Sequence, residues 1–564
     1  MKRFLAVCIA LCLAMALFAV PVFAEGAAEP TGSGDTFFAN GTPITITAAA
    51  PQGGQKTDID GLTAVGEAAY ISWESGGVTK YVGVSANATV YGGSDGRQAP
   101  VSVPSTSITM TGGTVRNLIG GNLGAKAKAP LATVTGNVTM HISGDAKVSN
   151  YIAGGGYDNA CVNGTVSLTL DGVNFAELDP YVNGGVWGHG SEGTRNIENG
   201  TMDTQAVANR VEIVVKGSQN IPLLGVGGGG STKVNSGSLT VTDSTVKSLY
   251  LGGINGETGS CEVTLTNANI TNMAATNRGF VGSAVVNVNG GSITNFYTGA
   301  VPGCFSSDSG TVDGSGVTGA ITWNLDANVQ VANAVITPNI KSNPGQYTAE
   351  VGNVAVNKQG DALPMTAAAF EPATGAKVSE FTVPAGETLK LEGTKLTIPE
   401  GTALKNEGTV ENRGAIENKG TIENMGSGKL DNVGENAAIS GNKPVGDNAG
   451  VTYQFISGPA SYTLGTQKDA VFTLNGSVDQ FVDFYIDGTK LVKDTDYTVQ
   501  NGSVVITVKA SVMEKLSVGS HTLKAIYTLG EATSSVTIAK QAQAPTTPAA
   551  PSTGKANPKT GVNL

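Results

Sequence analysis

The sequence predicts an all-β protein: a right-handed parallel β-helix, then a short hexapeptide-type solenoid, then a β-sandwich. Three observations lead there. Between about Ser107 and Val331 a loose repeat sets apolar residues at period two, turns a small-residue corner and resumes with another apolar residue. From Asn406 a strict repeat of six residues follows. From Val451 to Ile538, seven short strand-like runs alternate with turns.

The loose repeat is clearest in Ile108-Thr109-Met110 followed by Val115 and Asn117, in Val263-Thr264-Leu265 followed by Ile270 and Asn272, and in Val286-Asn287-Val288 followed by Ile293 and Asn295. Period two directs alternate side chains to one side of a strand. The corner and second short strand carry the chain onward, where a hairpin would fold it back. The last apolar residues before each corner are Met110, Ile142, Leu170, Val215, Val241, Leu265, Val288 and Leu325. Their spacings run 32, 28, 45, 26, 24, 23 and 37 residues, so one turn needs about 23 and the excess is loop. A period of this length marks a solenoid.

Composition agrees. Charged residues make up 14% of the 564, against roughly 25% in an average soluble protein. Glycine, at 78, is about twice its usual share of ~7%. Few charges and many small residues suit a stack of similar turns. The net charge of −11 argues against nucleic acid and anionic membranes as partners.

Lys2 and Arg3, the apolar run Phe4–Val20 and the residues Val22-Phe23-Ala24 have the form of a secretory leader, with cleavage expected after Ala24. The mature chain would hold no membrane span. Cys8 and Cys12 leave with the leader, and Cys161, Cys261 and Cys304 remain. Three scattered cysteines make neither a disulfide framework nor a metal site. Each reads as a small buried hydrophobe, with a Cys261–Cys304 bridge as the lesser alternative.

The β-helix is expected over 25–335, with residues 36–106 as its N-terminal cap and first turns, since a solenoid end needs covering. Asn117, Asn150, Asn272 and Asn295 recur after the corners and should share amide hydrogen bonds from turn to turn. The clusters Gly154-Gly155-Gly156, Gly184-Gly185 and Gly252-Gly253 are expected to supply positive φ at sharp corners. Residues 332–380, with Pro338, Pro344, Pro364 and Pro372, lose the repeat and read as a transition. Residues 336–445 thus hold that transition and the second solenoid. Its hexads run Asn406 to Glu411, Asn412 to Glu417 and Asn418 to Glu423, each with Gly third and Val or Ile fifth. Asn and Gly form the turn, and one apolar residue per face points inward. It reads either as a separate short solenoid or as the end of the first.

The region 446–540 carries its strand candidates at Val451–Ile456, Ala470–Leu474, Asp483–Ile486, Tyr497–Val499, Val504–Val508, Thr522–Tyr527 and Ser534–Ile538. So many short strands in so short a span suggest an immunoglobulin-like (Ig-like) β-sandwich. The segments Asp487–Val499, Val505–Thr507 and Leu516–Leu523 resemble the Ig-like modules found beside carbohydrate-active domains in Firmicute surface proteins, which mostly serve as spacers. Residues 541–564 are rich in Ala, Pro, Thr and Ser, as in a linker crossing a cell wall. Within them Asn557, Pro558, Lys559, Thr560 and Gly561 resemble a sortase sorting motif, with Asn in place of the commoner Leu. The resemblance implies cleavage between Thr560 and Gly561 and attachment to the wall of a Gram-positive cell. Only Val562, Asn563 and Leu564 follow, without the apolar span and basic tail of such signals.

No constellation for catalysis, cofactor or metal emerges. Asp145, Asp171, Asp243 and Asp326 sit at corners, where an Asp side chain commonly bonds local backbone. His141, His189 and His521 stand in unrelated contexts. Trp187 and His189 mark a loop that could contact a sugar, although one aromatic and one His do not make a site. Gly225 to Gly230 matches a dinucleotide fingerprint only formally, since no βαβ unit surrounds it. The expected role is an adhesin or glycan-binding surface protein, with loops around 176–210 and 299–318 setting specificity. Its partners would be a host or environmental glycan or surface protein, with sortase and cell wall at the C-terminus. A polysaccharide lyase or glycoside hydrolase and a structural stalk are the alternatives. Clustered charges on one face would favour the enzyme, an exposed aromatic row glycan binding, and a bland face the stalk.

Overall fold

The computed structural model describes residues 28–541, apart from 126–130, 186, 189–193, 197–200, 204–205, 231, 255, 278, 302–315, 344–345, 368–378 and 501–503. The leader, Cys304 and the sorting-type motif fall outside these residues. The chain is all-β: among the described residues the only helical pieces are the 3-10 turn Val478–Gln480 and the helix Ala510–Met513. Two compact units divide between Val451 and Thr452.

In the first unit each successive turn of chain adds strands to parallel ladders. The first ladder brings the predicted anchors together in one column: Met110, Ile142, Leu170, Val215, Val241, Leu265, Val288 and Leu325 are consecutive register partners. Two residues earlier, Ile108, Met140, Leu168, Ile213, Leu239, Val263, Val286 and Trp323 form a second column. All are essentially fully buried. A second ladder stacks Val90, Leu118, Ile152, Val182, Leu224, Leu249, Met273, Phe296 and Ala334. A shorter third ladder stacks Val103, Val134, Val162, Ala208, Val234, Thr258, Val281 and Val317. Burying a Val, Leu, Ile or Phe side chain contributes ~1.5–3 kcal/mol, and these columns are the core.

The first ladder runs through the proline-bearing stretch without a break. Ile321 pairs with Val354, Val354 with Leu389, Leu389 with Val410 and Val410 with Leu430. Loose and strict repeats therefore share one ladder. Successive hexads place Val410, Ile416 and Ile422 in three separate columns, under Leu389, Leu396 and Leu404 respectively. Their asparagines point inward: Asn406, Asn412, Asn418, Asn424 and Asn432 are fully buried. Asn406 Nδ2 donates to Asn424 Oδ1 at 2.8 Å and Asn412 Nδ2 to Asn432 Oδ1 at 2.7 Å. Interior amide ladders thus fasten the corners, beyond the turn-forming role expected of these residues. Outside, Glu411 pairs with Arg413 and Glu417 with Lys419.

The glycine clusters act otherwise than expected. Of Gly154, Gly156, Gly184, Gly185, Gly252 and Gly253, only Gly253 has positive φ, at 69°. At the others a Cβ would collide with neighbouring backbone or, as at Gly184 beside Val211, with a core side chain. A Cβ on Gly154 would lie 2.6 Å from Gly184 O, and one on Gly121 would lie 1.7 Å from Gly155 O.

At the N-terminal end, Ile44–Thr47 pairs in parallel with Thr106–Met110 on one side and antiparallel with Val65–Ser75 on the other. The hairpin Val65–Ser75/Val78–Val84 occupies the edge that would otherwise stay open. Glu29 fastens it, accepting from Trp73 Nε1 at 3.1 Å and Lys80 Nζ at 3.2 Å, and from the Ser75 hydroxyl.

The second unit has two sheets. One joins Phe455–Ser457, Ala470–Leu474, Val504–Val508 and Tyr497–Gln500, all antiparallel. The other sets Phe481–Ile486 against Gly519–Tyr527 and Gly530–Ala539, with Ser461–Thr463 added in parallel. Phe472, Phe484 and Tyr497 fill the space between, and Tyr453 stacks on Tyr527 at 4.1 Å.

Candidate functional site

The first unit's outer surface carries two concentrations of side chains suited to binding. On the second ladder, the residues before the core positions form a column in the order Thr89, Asn117, Tyr151, Tyr181, Leu223, Ser248, Asn272, Asn295 and Asn333. Of these, Thr89 and Leu223 are buried and the others reach the surface. The predicted amide bonds are present at both ends. Asn150 Nδ2 donates to Asn117 Oδ1 and Asn295 Nδ2 to Asn272 Oδ1, each at 2.9 Å. Asn333 extends the second ladder of amides at 3.3 Å.

Between the two amide ladders stand the tyrosines. Tyr151 and Tyr181 stack with ring centroids 6.1 Å apart and planes 27° apart, and Tyr157 lies 6.3 Å from Tyr151. Tyr181 is 39% exposed, while Tyr151 and Tyr157 are half-buried. Burial, with Asp158 and Tyr151 nearby, pushes the Tyr157 hydroxyl above its ordinary range. This aromatic group was not legible in advance, because Tyr151 and Tyr181 are separated by 30 residues containing a whole turn of chain.

The sequence-nominated loop follows directly. Trp187 lies in a two-residue strand whose backbone pairs with Gly229 in parallel. His189 lies outside the described residues. The expected specificity loops at 176–210 and 299–318 are described only in part.

The second concentration is a polar cleft on the first ladder, with a volume of about 370 Å³. Its floor is another amide ladder. Asn357 Nδ2 donates to Asn324 Oδ1 at 2.8 Å, and Asn324 Nδ2 donates to Asn287 Oδ1 at 2.9 Å. The next register partner of Asn357 is Glu392. Asn289, Leu325, Asp326, Lys358 and Gln359 complete the lining.

The corner carboxylates do not gather. Asp171 has Ser143 and Lys216 as its register neighbours. Asp326 Oδ1 accepts from Asn328 N at 3.3 Å, the local bond expected of a corner. Asp243 Oδ1 instead accepts from Asn267 Nδ2 at 3.2 Å on the next turn. His141 faces outward between Thr109 and Thr169. Among the described residues, no three His, Cys, Asp or Glu side chains come together as a metal centre requires.

Cys161 and Cys261 are buried free thiols, and burial pushes Cys261 up to about 12. Such thiols are unreactive. His521, in the second unit, sits 2.5 Å from Asp487 Oδ2 through Nδ1 and 2.7 Å from Ser517 O through Nε2. It braces a turn. Compared with protein-family models, curated proteins and solved structures, the chain finds no match, so the reading of these surfaces rests on its own residues.

Proposed function

We propose that the chain is an exported, wall-associated surface protein whose first unit is a right-handed parallel β-helix that binds glycans. The stacked tyrosines Tyr151 and Tyr181 on the outer column carry this reading. Aromatic rings displayed beside hydrogen-bonding amides offer a sugar both an apolar face and polar partners. The leader-like start and the sorting-type motif supply export and attachment, and the β-helix reading draws on the columns of register partners described above. The second unit serves as an Ig-like spacer.

Binding is preferred to catalysis because Asp145, Asp171 and Asp243 are dispersed along the ladder, whereas glycoside hydrolysis ordinarily needs two carboxyl groups about 5–9.5 Å apart. Asp326 and Glu392 do share the polar cleft, which is why product is scored as well. The test is retention of the full chain on an array of host and plant glycans, with new reducing or unsaturated ends scored in parallel. The expected result is retention without product, lost in the Tyr151→Ala/Tyr181→Ala double variant. Product formation overturns the binding reading, and retention indifferent to both tyrosines removes the site.

A further inference from the structure

We infer that the cleft formed by Asn287, Asn324, Asn357 and Glu392 is a second binding site, which takes a single neutral saccharide unit. The inference does not rest on the tyrosine row, which belongs to the other ladder and to earlier turns.

The volume, about 370 Å³, lies at the small end of the ~300–1,000 Å³ typical of ligand sites. Such sites are mostly apolar, yet this one is lined almost wholly by amides and charged groups, with Leu325 its one apolar residue. A ligand there must offer hydrogen-bonding groups on most of its surface.

Charge narrows the class. Lys358 Nζ donates to Ala327 O at 3.3 Å and to Gln359 O at 2.5 Å. Lys390 Nζ lies 3.7 Å from Glu392 Oε2, and Asp326 already accepts from Asn328. With Lys390 counted beside the lining, two carboxylates, Asp326 and Glu392, stand with two ammonium groups, Lys358 and Lys390, so neither an anionic nor a cationic ligand finds a surplus of opposite sign. Besides Glu392, the exposed side chains of the lining are the amides of Asn289 and Gln359, for which the described residues provide no hydrogen-bond partner.

An amide presents both donors and an acceptor, the complement of a hydroxyl, which both donates and accepts. The floor is preorganised, because Asn324 is held at both ends by Asn287 and Asn357. The ladder stops at Glu392: a carboxylate cannot continue the donation, and among the described residues no donor reaches Asn357 Oδ1. Vicinal hydroxyls of a neutral sugar match this lining. With no aromatic platform in the cleft, affinity should be weak, on the order of 1 mM.

Saturation-transfer NMR on the full chain tests this, with methyl glycosides of glucose, galactose and N-acetylglucosamine as probes. Galacturonate and glucosamine are the charged counterparts. We expect transfer to at least one neutral glycoside. It should fall about tenfold in Asn289→Ala/Gln359→Ala, whose side chains carry no bond of the amide ladder, and persist in Tyr151→Ala/Tyr181→Ala. An unchanged melting transition in the Asn289/Gln359 variant would show that the fold is intact. No transfer from any neutral probe, preference for a charged one, or indifference to that variant overturns the assignment. Each of these outcomes leaves the tyrosine reading standing.

Discussion

Asn295 donates its side-chain amide to Asn272 across 23 residues of sequence, with 2.9 Å between Nδ2 and Oδ1. Asn333 donates to Asn295 in turn. Asn295 is therefore needed in both roles. In Asn295→Asp the carboxylate faces the Asn272 oxygen, acceptor against acceptor. The expected loss is about 1–3 kcal/mol, partly recovered below about pH 4 as the new carboxyl protonates. Calorimetric melting at pH 3.5 and pH 7 checks it. A drop of equal size at both pH values would mean that ionisation of the new carboxyl is not the cause, and no drop at either would mean that the amide bond does not matter.

Trp323 tests the core columns. It packs edge-on against Phe296 with centroids 4.9 Å apart, and its indole N–H donates to Thr298 O at 3.3 Å. Trp323→Ala should cost about 3–5 kcal/mol through the cavity and the orphaned carbonyl. Its melting midpoint should fall well below that of Val285→Ala, since Val285 points outward and is 44% exposed.

Glycine is required for two separable reasons. In Gly121→Ala a methyl group meets the Gly155 carbonyl, so the turns must part locally and the melting midpoint should drop sharply. In Gly426→Ala the new Cβ meets nothing, and only φ of +54° opposes it. That costs about 1–2 kcal/mol. Comparable melting midpoints for the two variants would refute the close-contact account.

His521 and Asp487 shift in opposite directions. The Asp487 carboxylate, then the Ser517 carbonyl, raise the His521 imidazole above its ordinary value. His521, with the Thr522 N–H, lowers Asp487 below the usual carboxylate range. The histidine's contribution to stability is therefore complete below the unfolded value of ~6.5 and disappears as pH rises through its folded value. The aspartate's contribution is complete above ~3.9 and disappears as pH falls through its folded value. Their joint effect is greatest between those ordinary values. An NMR titration should place His521 above ~6.5, and Asp487→Asn should lower it. A titration unchanged by that substitution would exclude the pair.

The core columns were legible because Val, Ile and Leu at period two reveal an inward face whatever the loop length. Outward neighbours were not. Asn287, Asn324 and Asn357 lie 37 and 33 residues apart, so only the register of intervening turns brings them together. The link across residues 332–380 stood only as one of two alternatives for a related reason. There the column that ends Leu265, Val288, Leu325 receives Lys358, breaking the apolar pattern while the backbone pairing persists. The glycine clusters announced a constraint but not its kind, since close contact between turns leaves no mark distinct from positive φ. In the hexads, Asn read as a turn-forming residue. Its burial goes with donation to the following turn, which satisfies the amide N–H inside, while among the described residues the oxygens of Asn406 and Asn418 accept no bond.

The shortest turn, which carries Leu265 to Val288, is almost all strand, in Glu257–Thr276 and Phe280–Ala300. Its neighbours offer the same kinds of side chain: Leu239 and Val241 before it, Val286 and Val288 within the next. A stretch of that size can be copied or excised while the flanking turns meet compatible partners. The length of such a protein is then a heritable variable, adjustable by unequal exchange between gene copies.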